Sequence, residues 1–236
     1  MLTKKSTGNQ IELLDDSAVA ASVSRRKFLG YAGVSSLFLG TLASSCKKND
    51  NSASNGVDLG SGDTGILNYA YALEQLEAAF YLQVVKTPYT GISSLEMEYM
   101  TDIRNHEVAH REFFKAALGA SAIGALEVNF TSIDFSSRTS VLGTAKAFED
   151  LGVTAYNGAG QLISTTGNGP TYLGLAGKIV SVEARHAALI ADLIAPGSFA
   201  NTVDGNGLDS ARTPAQVLAI AGTYISTKIN ASNLPS

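Results

Sequence analysis

Apolar positions recur at helical rather than strand spacing from residue 63 onward, and four long segments carry the pattern. The first runs from about Asp63 to Lys86, with Asp63 or Thr64 as N-cap and Pro88 just past its end. The second covers about Ser93 to Leu118 and stops at Gly119. The third covers about Ser137 to Gln161 and is weakened by Gly143, Gly152, Gly158 and Gly160. The fourth begins near Pro170, a residue favoured in a first helical turn, and ends before Pro196. The link from Gly119 to Ser136 is long for a helix connection, which lets the second and third helices run parallel. The pattern predicts an all-α four-helix bundle over residues 63–195, with a long crossover between helices 2 and 3. An irregular loop at 197–213 leads to a fifth, amphipathic helix from about Pro214 to Lys228, packed outside the bundle.

Upstream of the bundle the pattern changes. Residues 24–29 read Ser-Arg-Arg-Lys-Phe-Leu, a twin-arginine export motif, followed by an apolar run from Phe28 to Ala43. That run falls short of the about 20 residues a spanning helix needs, so a cleaved export signal fits better. The segment Leu42-Ala43-Ser44-Ser45-Cys46 resembles a lipobox, with Cys46 as the lipidated first residue of the mature chain. Residues 1–46 are thus expected to be targeting sequence, and the polar, Gly/Ser/Asn-rich residues 47–62 a flexible tether. The expected location is periplasmic or cell-envelope, held at a membrane through Cys46.

Composition narrows the chemistry. The 236-residue chain has a net charge of −4 and no basic stripe, which gives no footing for nucleic-acid binding. A single cysteine excludes an internal disulfide framework and any multi-cysteine metal site. All three histidines, His106, His110 and His186, fall in segments that also carry glutamate.

Those segments repeat. LEQLEAAFY at 73–81 aligns with FEDLGVTAY at 148–156, matching Glu74 with Glu149 and Tyr81 with Tyr156. IRNHEVAH at 103–110 aligns with IVSVEARH at 179–186, matching Glu107 with Glu183 and His110 with His186. Each helical hairpin therefore brings one Glu and one Glu-x-x-His. Side chains three apart share a helix face, so Glu107 and His110 can reach one metal ion, and Glu183 and His186 a second. Glu74 and Glu149 supply the remaining carboxylates, as caps or as bridges. Four carboxylates and two imidazoles suit a pair of iron or manganese ions. The competing reading pairs these glutamates with Arg104, Arg111 and Arg185 in a metal-free bundle.

Three further residues lie on the inner face. Glu77 follows Glu74 by one turn, but its partner in the repeat is Gly152, so it ranks after Glu74 as an extra ligand or a neighbour of one. Tyr81 and Tyr156 can orient a ligand carboxylate, act as redox-active phenols, or simply fill the core. Residues 106–110, His-Glu-Val-Ala-His, also match the zinc-peptidase signature H-E-x-x-H, with Glu107 as general base. That reading leaves most of Glu74, Glu149, Glu183 and His186 unused.

The stretches ALEQLEAAFY, IRNHEVAHREFFKAALG, FEDLGVTAYNGA and IVSVEARHAALIADLI resemble the ferritin-like domain family that includes desiccation-related and exported bacterial proteins. The resemblance spans about residues 63–195 and implies the four-helix fold and a di-metal centre, without an established activity. More distantly the layout is similar to manganese catalases, rubrerythrins and bacterioferritins. The lone cysteine excludes a rubrerythrin-type electron relay. The expected function is that of an exported di-metal oxidoreductase acting on peroxide or dioxygen in stress protection. The alternatives are a non-enzymatic envelope stress or metal-binding protein and, behind it, the zinc peptidase.

Overall fold

The computed structural model describes residues 56–236; the export motif, Cys46 and the tether up to residue 55 lie outside the described residues. Four long helices make up the bundle: α1 (Gly62–Lys86), α2 (Ser94–Leu118), α3 (Arg138–Ala159) and α4 (Gly169–Ile194). No helix among the described residues is long and apolar enough to cross a membrane.

The helices differ in how they are buried, and the sequence shows why. Helix α2 buries one narrow stripe, Met100, Ile103, Glu107, Phe114 and Leu118, at helical spacing. Helix α4 does the same with Ile179, Glu183, His186 and Ile190. Helix α1 is apolar round most of its circumference and is buried accordingly, from Gly65 through Ala78 without a break. It is covered by α2 and α3 and by the crossover.

Cross-helix contacts set the directions. Tyr81 of α1 meets Glu149 of α3, and Tyr156 of α3 meets Glu74 of α1, so these two helices are antiparallel. Arg138, at the start of α3, donates from Nε to Glu96 near the start of α2 at 2.8 Å. It also donates from Nη2 to the Leu193 carbonyl at the end of α4 at 2.9 Å. Helices α2 and α3 therefore start at one end and run parallel, which requires the crossover to span the bundle's length.

Two buried amides on α1 hold that crossover. Asn68 donates to the carbonyls of Leu59 and Ser121 and accepts from the Ile123 N–H. Gln75 donates to the Gly124 carbonyl and accepts from the Leu126 N–H. Further along, Phe130 and Phe135 pack around Phe80, with ring centroids 6.0 and 5.9 Å away.

Several boundaries differ from expectation. Helix α1 begins at Gly62 with Ser61 as N-cap, while Asp63 instead accepts from the backbone N–H and hydroxyl of Ser164. Part of the predicted tether is folded: β1 (Val57–Asp58) pairs in parallel with β2 (Ile229–Asn230), and Leu59 is fully buried. The last helix, α5 (Pro214–Ala221), stops seven residues short of Lys228. Gly222 and Thr223 turn the chain, and Ile225 bridges to Val128 of the crossover. Helix α5 lies against α3 and α1 with Val217 and Ala221 fully buried. The glycines of the third helix do not interrupt it. Gly158 is required there, because a Cβ would lie 1.9 Å from the Arg212 carbonyl oxygen.

Candidate metal centre

The buried stripes of α2 and α4 carry Glu107 with His110 and Glu183 with His186, and α1 and α3 add Glu74 and Glu149. The structure brings all six together. Their ligand atoms form two groups, each with members within 4.8 Å of one another: Glu74, Glu107, His110 and Glu183; and Glu107, Glu149, Glu183 and His186. Glu107 and Glu183 belong to both groups, while Glu74 and Glu149 each serve one. The repeat left open which carboxylates bridge; the geometry places the shared ones on the Glu-x-x-His motifs.

The arrangement is close to two-fold symmetric. His110 Nδ1 lies 2.9 Å from Glu183, 3.5 Å from Glu74 and 3.6 Å from Glu107. His186 Nδ1 lies 2.8 Å from Glu107, 3.4 Å from Glu149 and 3.8 Å from Glu183. Each histidine is thus nearest the glutamate of the other hairpin. Tyr156 donates to Glu74, and Tyr81 donates to Glu149 at 2.5 Å, which fixes the two terminal carboxylates from outside.

Whether these residues suit metal can be judged from their unmet valences. Both oxygens of Glu107 and of Glu183, one oxygen each of Glu74 and Glu149, and Nδ1 of both histidines are buried without a directed hydrogen bond. The nitrogens approach the oxygens closely, but no N–H points along any of these contacts. All four glutamates are fully buried. Arg104, Arg111 and Arg185 form no ion pair with them, and Arg111 pairs with Glu112 instead. Orphaned buried oxygens cost several kcal/mol each unless something fills the space between them. Lone pairs converging on two shared points are what a pair of cations satisfies, so the donor set fits two metal ions and disfavours the arginine-paired bundle.

Electrostatics follow the same geometry. Burial pushes Glu149 up to about 8 and holds Glu74 well above the usual carboxylate range, with neighbouring glutamates adding to it. Burial also acts on Glu107, but His110 and His186 outweigh it and bring that carboxyl down to about 2. Burial disfavours charge on His110, yet Glu107, Glu183 and Glu74 outweigh it and push the ring up to about 12. His186 is pushed up to about 12 by Glu107, Glu149 and Glu183 in the same way. Tyr81 and Tyr156 are raised well above the ordinary phenol value, by burial first and then by their glutamate partners.

Glu77 joins neither group. It is buried, and its carboxylate fills the space opposite Gly152, where a Cβ would come 3.0 Å from Glu77 Oε1. A glycine at the repeat position of Glu77 is what leaves room for that carboxylate. Burial and the surrounding glutamates, Glu183 and Glu107 foremost, hold its pKa well above the usual range. His106 joins neither group either. Its Nδ1 lies 2.9 Å from His186 Nε2, so the two histidines of His-Glu-Val-Ala-His do not converge on one point. The sequence carried no sign of this contact, since the two rings lie on different helices.

A surface cleft of about 340 Å³ between α3 and α4, lined in part by Leu173, Ala176, Gly177 and Val180, reaches Tyr156. Tyr81 is fully buried, edge-on to Phe80, which in turn packs on Phe148. Another concavity, about 500 Å³, is bordered by Arg212, α5 and the last residues of the chain, away from the carboxylates.

A family model described as ferritin-like domain matches residues 62–196. No curated protein matches the chain.

Proposed function

The chain belongs to the ferritin-like domain family, and we propose that it is an exported di-metal carboxylate protein whose paired iron or manganese ions act on peroxide or dioxygen in stress protection. The observation that carries the reading is the convergence of six donors, five buried and His110 partly buried, into two groups that share Glu107 and Glu183. One position is held by Glu74 and His110, the other by Glu149 and His186, with the shared glutamates between them. When bound, such a pair supplies one-electron redox chemistry at each ion.

The chain's own residues supply the rest. Tyr156 and Tyr81 hold Glu74 and Glu149 through their hydroxyls, so the terminal carboxylates keep their orientation while an exogenous ligand comes and goes. Glu77, buried beside the shared carboxylates and without a hydrogen-bond partner among the described residues, is the group placed to take up or release a proton at its Oε1. The enclosing apolar stripes exclude bulk water and restrict access to small molecules. The cleft beside Tyr156 is the approach from solvent.

Export by the twin-arginine route and anchoring at Cys46 complete the proposal. That route carries folded proteins, which allows metal to be loaded before the chain crosses. No observation favours the zinc peptidase, because His106 is engaged by His186.

Metal analysis of protein exported by its native host tests the reading. About two iron or manganese ions per chain are expected, falling to one or none in Glu107→Ala and in His186→Ala. Unchanged metal content in both variants refutes the site. One zinc per chain would support the peptidase, and no metal would support a scaffold. Peroxide disproportionation and oxygen-consumption assays on the fully loaded protein then test turnover.

A further inference from the structure

The two metal positions are related by the repeat, but their outer surroundings are not. The residue before the glutamate is His106 in one motif and Val182 in the other. His106 sits on the exposed side of α2 and reaches across to α4. Its ring lies nearly coplanar with that of His186, edge to edge, with an interplanar angle of 9° and centroids 5.2 Å apart. Its Nδ1 lies 2.9 Å from His186 Nε2, the ring nitrogen that faces away from the carboxylates. His110 has no such neighbour: among the described residues nothing hydrogen-bonds its outer nitrogen.

Resting on the two-metal reading above, we propose that His106 is a positioning residue for His186, accepting its Nε2–H and thereby holding its Nδ1 lone pair toward the second metal position. An imidazole shares one proton between two nitrogens, and the hydrogen bond made by one decides which atom is free to ligate. With Nε2–H donated to His106, Nδ1 is the nitrogen turned to a metal among Glu107, Glu149 and Glu183. The reverse polarity, His106 donating, would put the His186 proton on Nδ1 and close that atom to metal. The two positions are then inequivalent. The His186 position has a preset ligand and binds its ion more tightly than the His110 position, whose imidazole is oriented only from within. This also gives the first histidine of His-Glu-Val-Ala-His a role that peptidase chemistry does not.

Two substitutions separate the hydrogen bond from ring packing. In His106→Asn the amide Oδ1 takes the place of the ring Nδ1, keeping an acceptor and losing the ring. In His106→Phe the ring stays and the acceptor goes. Metal-free full-length protein is titrated with Mn(II), free ion is followed by electron paramagnetic resonance, and two stepwise dissociation constants are extracted. The expected result is one constant raised about 10- to 100-fold in His106→Phe, the other unchanged, and both near wild type in His106→Asn. Unaltered constants in His106→Phe overturn the proposal, as does an equal shift of both or a larger loss in His106→Asn. Thermal melts of the metal-free variants check folding, which an exposed side chain should leave intact. Failure of the wild type to bind two Mn(II) ions would refute the two-metal reading itself, before any variant is compared.

Discussion

Loading the centre with divalent ions must expel the protons its donors hold, and the number expelled can be worked out from the structure. Near pH 7 the metal-free protein carries a proton on each of His110 and His186, both pushed up to about 12 by the carboxylates around them. Glu149, at about 8, is protonated as well, and burial shifts Glu74 in the same direction. Glu107, at about 2, is ionised throughout and has nothing to give up. A metal takes bare nitrogen and ionised oxygen, so filling both positions displaces about three protons per chain, from His110, His186 and Glu149. The sign follows. These three groups have pKa values above the working pH, so acidification favours the protonated, metal-free form and weakens binding. Each proton contributes about 1.36 kcal/mol per pH unit, so the product of the two binding constants should fall by up to ~10³ for one unit, or about 4.1 kcal/mol.

Calorimetric Mn(II) titrations in buffers of unlike ionisation heat, at about pH 7 and about pH 6.5, count those protons directly. Glu149→Gln, which has no carboxyl proton to lose, should lower the count by about one. Release of one proton or fewer, or an affinity indifferent to pH, refutes the reasoning. It would mean that the histidines are neutral and the terminal glutamates ionised before metal arrives. The measurement needs no turnover, so it judges the centre apart from any activity.

Two predictions concern the frame that holds the centre. Gly158→Ala places a Cβ 1.9 Å from the Arg212 carbonyl oxygen and should cost about 3 kcal/mol in urea unfolding, whereas Gly143→Ala, with nothing within 4 Å, should stabilise by up to about 1 kcal/mol. Asn68→Leu leaves the Leu59 and Ser121 carbonyls and the Ile123 N–H without their partner; a loss of about 3 kcal/mol and faster hydrogen exchange at the Ile123 amide are expected.

How far the sequence reaches depends on whether a feature lies along one helix or between several. The stripes of α2 and α4 repeat at helical spacing, so Glu107 with His110 and Glu183 with His186 could be placed on inner faces before any coordinates. Pairing the hairpins found Glu74 and Glu149 by the same logic. Which carboxylates are shared was not legible, because that depends on how far each helix is rotated toward the bundle axis. The crossover shows the same limit: Asn68 and Gln75 look like ordinary polar residues in α1 until the backbone they satisfy is seen beside them. At the ends, composition misled. Val57 to Leu59 follow a Gly/Ser/Asn-rich run and read as tether, but their partner strand at Ile229–Asn230 lies far along the chain. Helix α5 ends at Ala221, short of the apolar pattern that Tyr224 and Ile225 continue, because Ile225 belongs to a bridge with the crossover.

The departures from the repeat are where the two halves of the centre become different. Gly152 stands where the repeat would place a counterpart of Glu77, and the missing side chain is what admits the Glu77 carboxylate beside Glu183. Val182 stands opposite His106, so only His186 has an outer imidazole partner. Tyr156 borders a surface cleft while its counterpart Tyr81 is sealed by aromatic rings. A symmetric ligand set thus sits in an asymmetric shell: access from solvent lies on the Glu74 side, and the preset histidine on the Glu149 side. On the two-metal reading, an exogenous ligand entering by the cleft would meet the His110 position first, while the His186 position, braced from outside, would keep its ion. That division assigns the weaker position to exchange and the tighter one to retention, and selective loss of the tighter constant in His106→Phe is the observation on which it stands or falls.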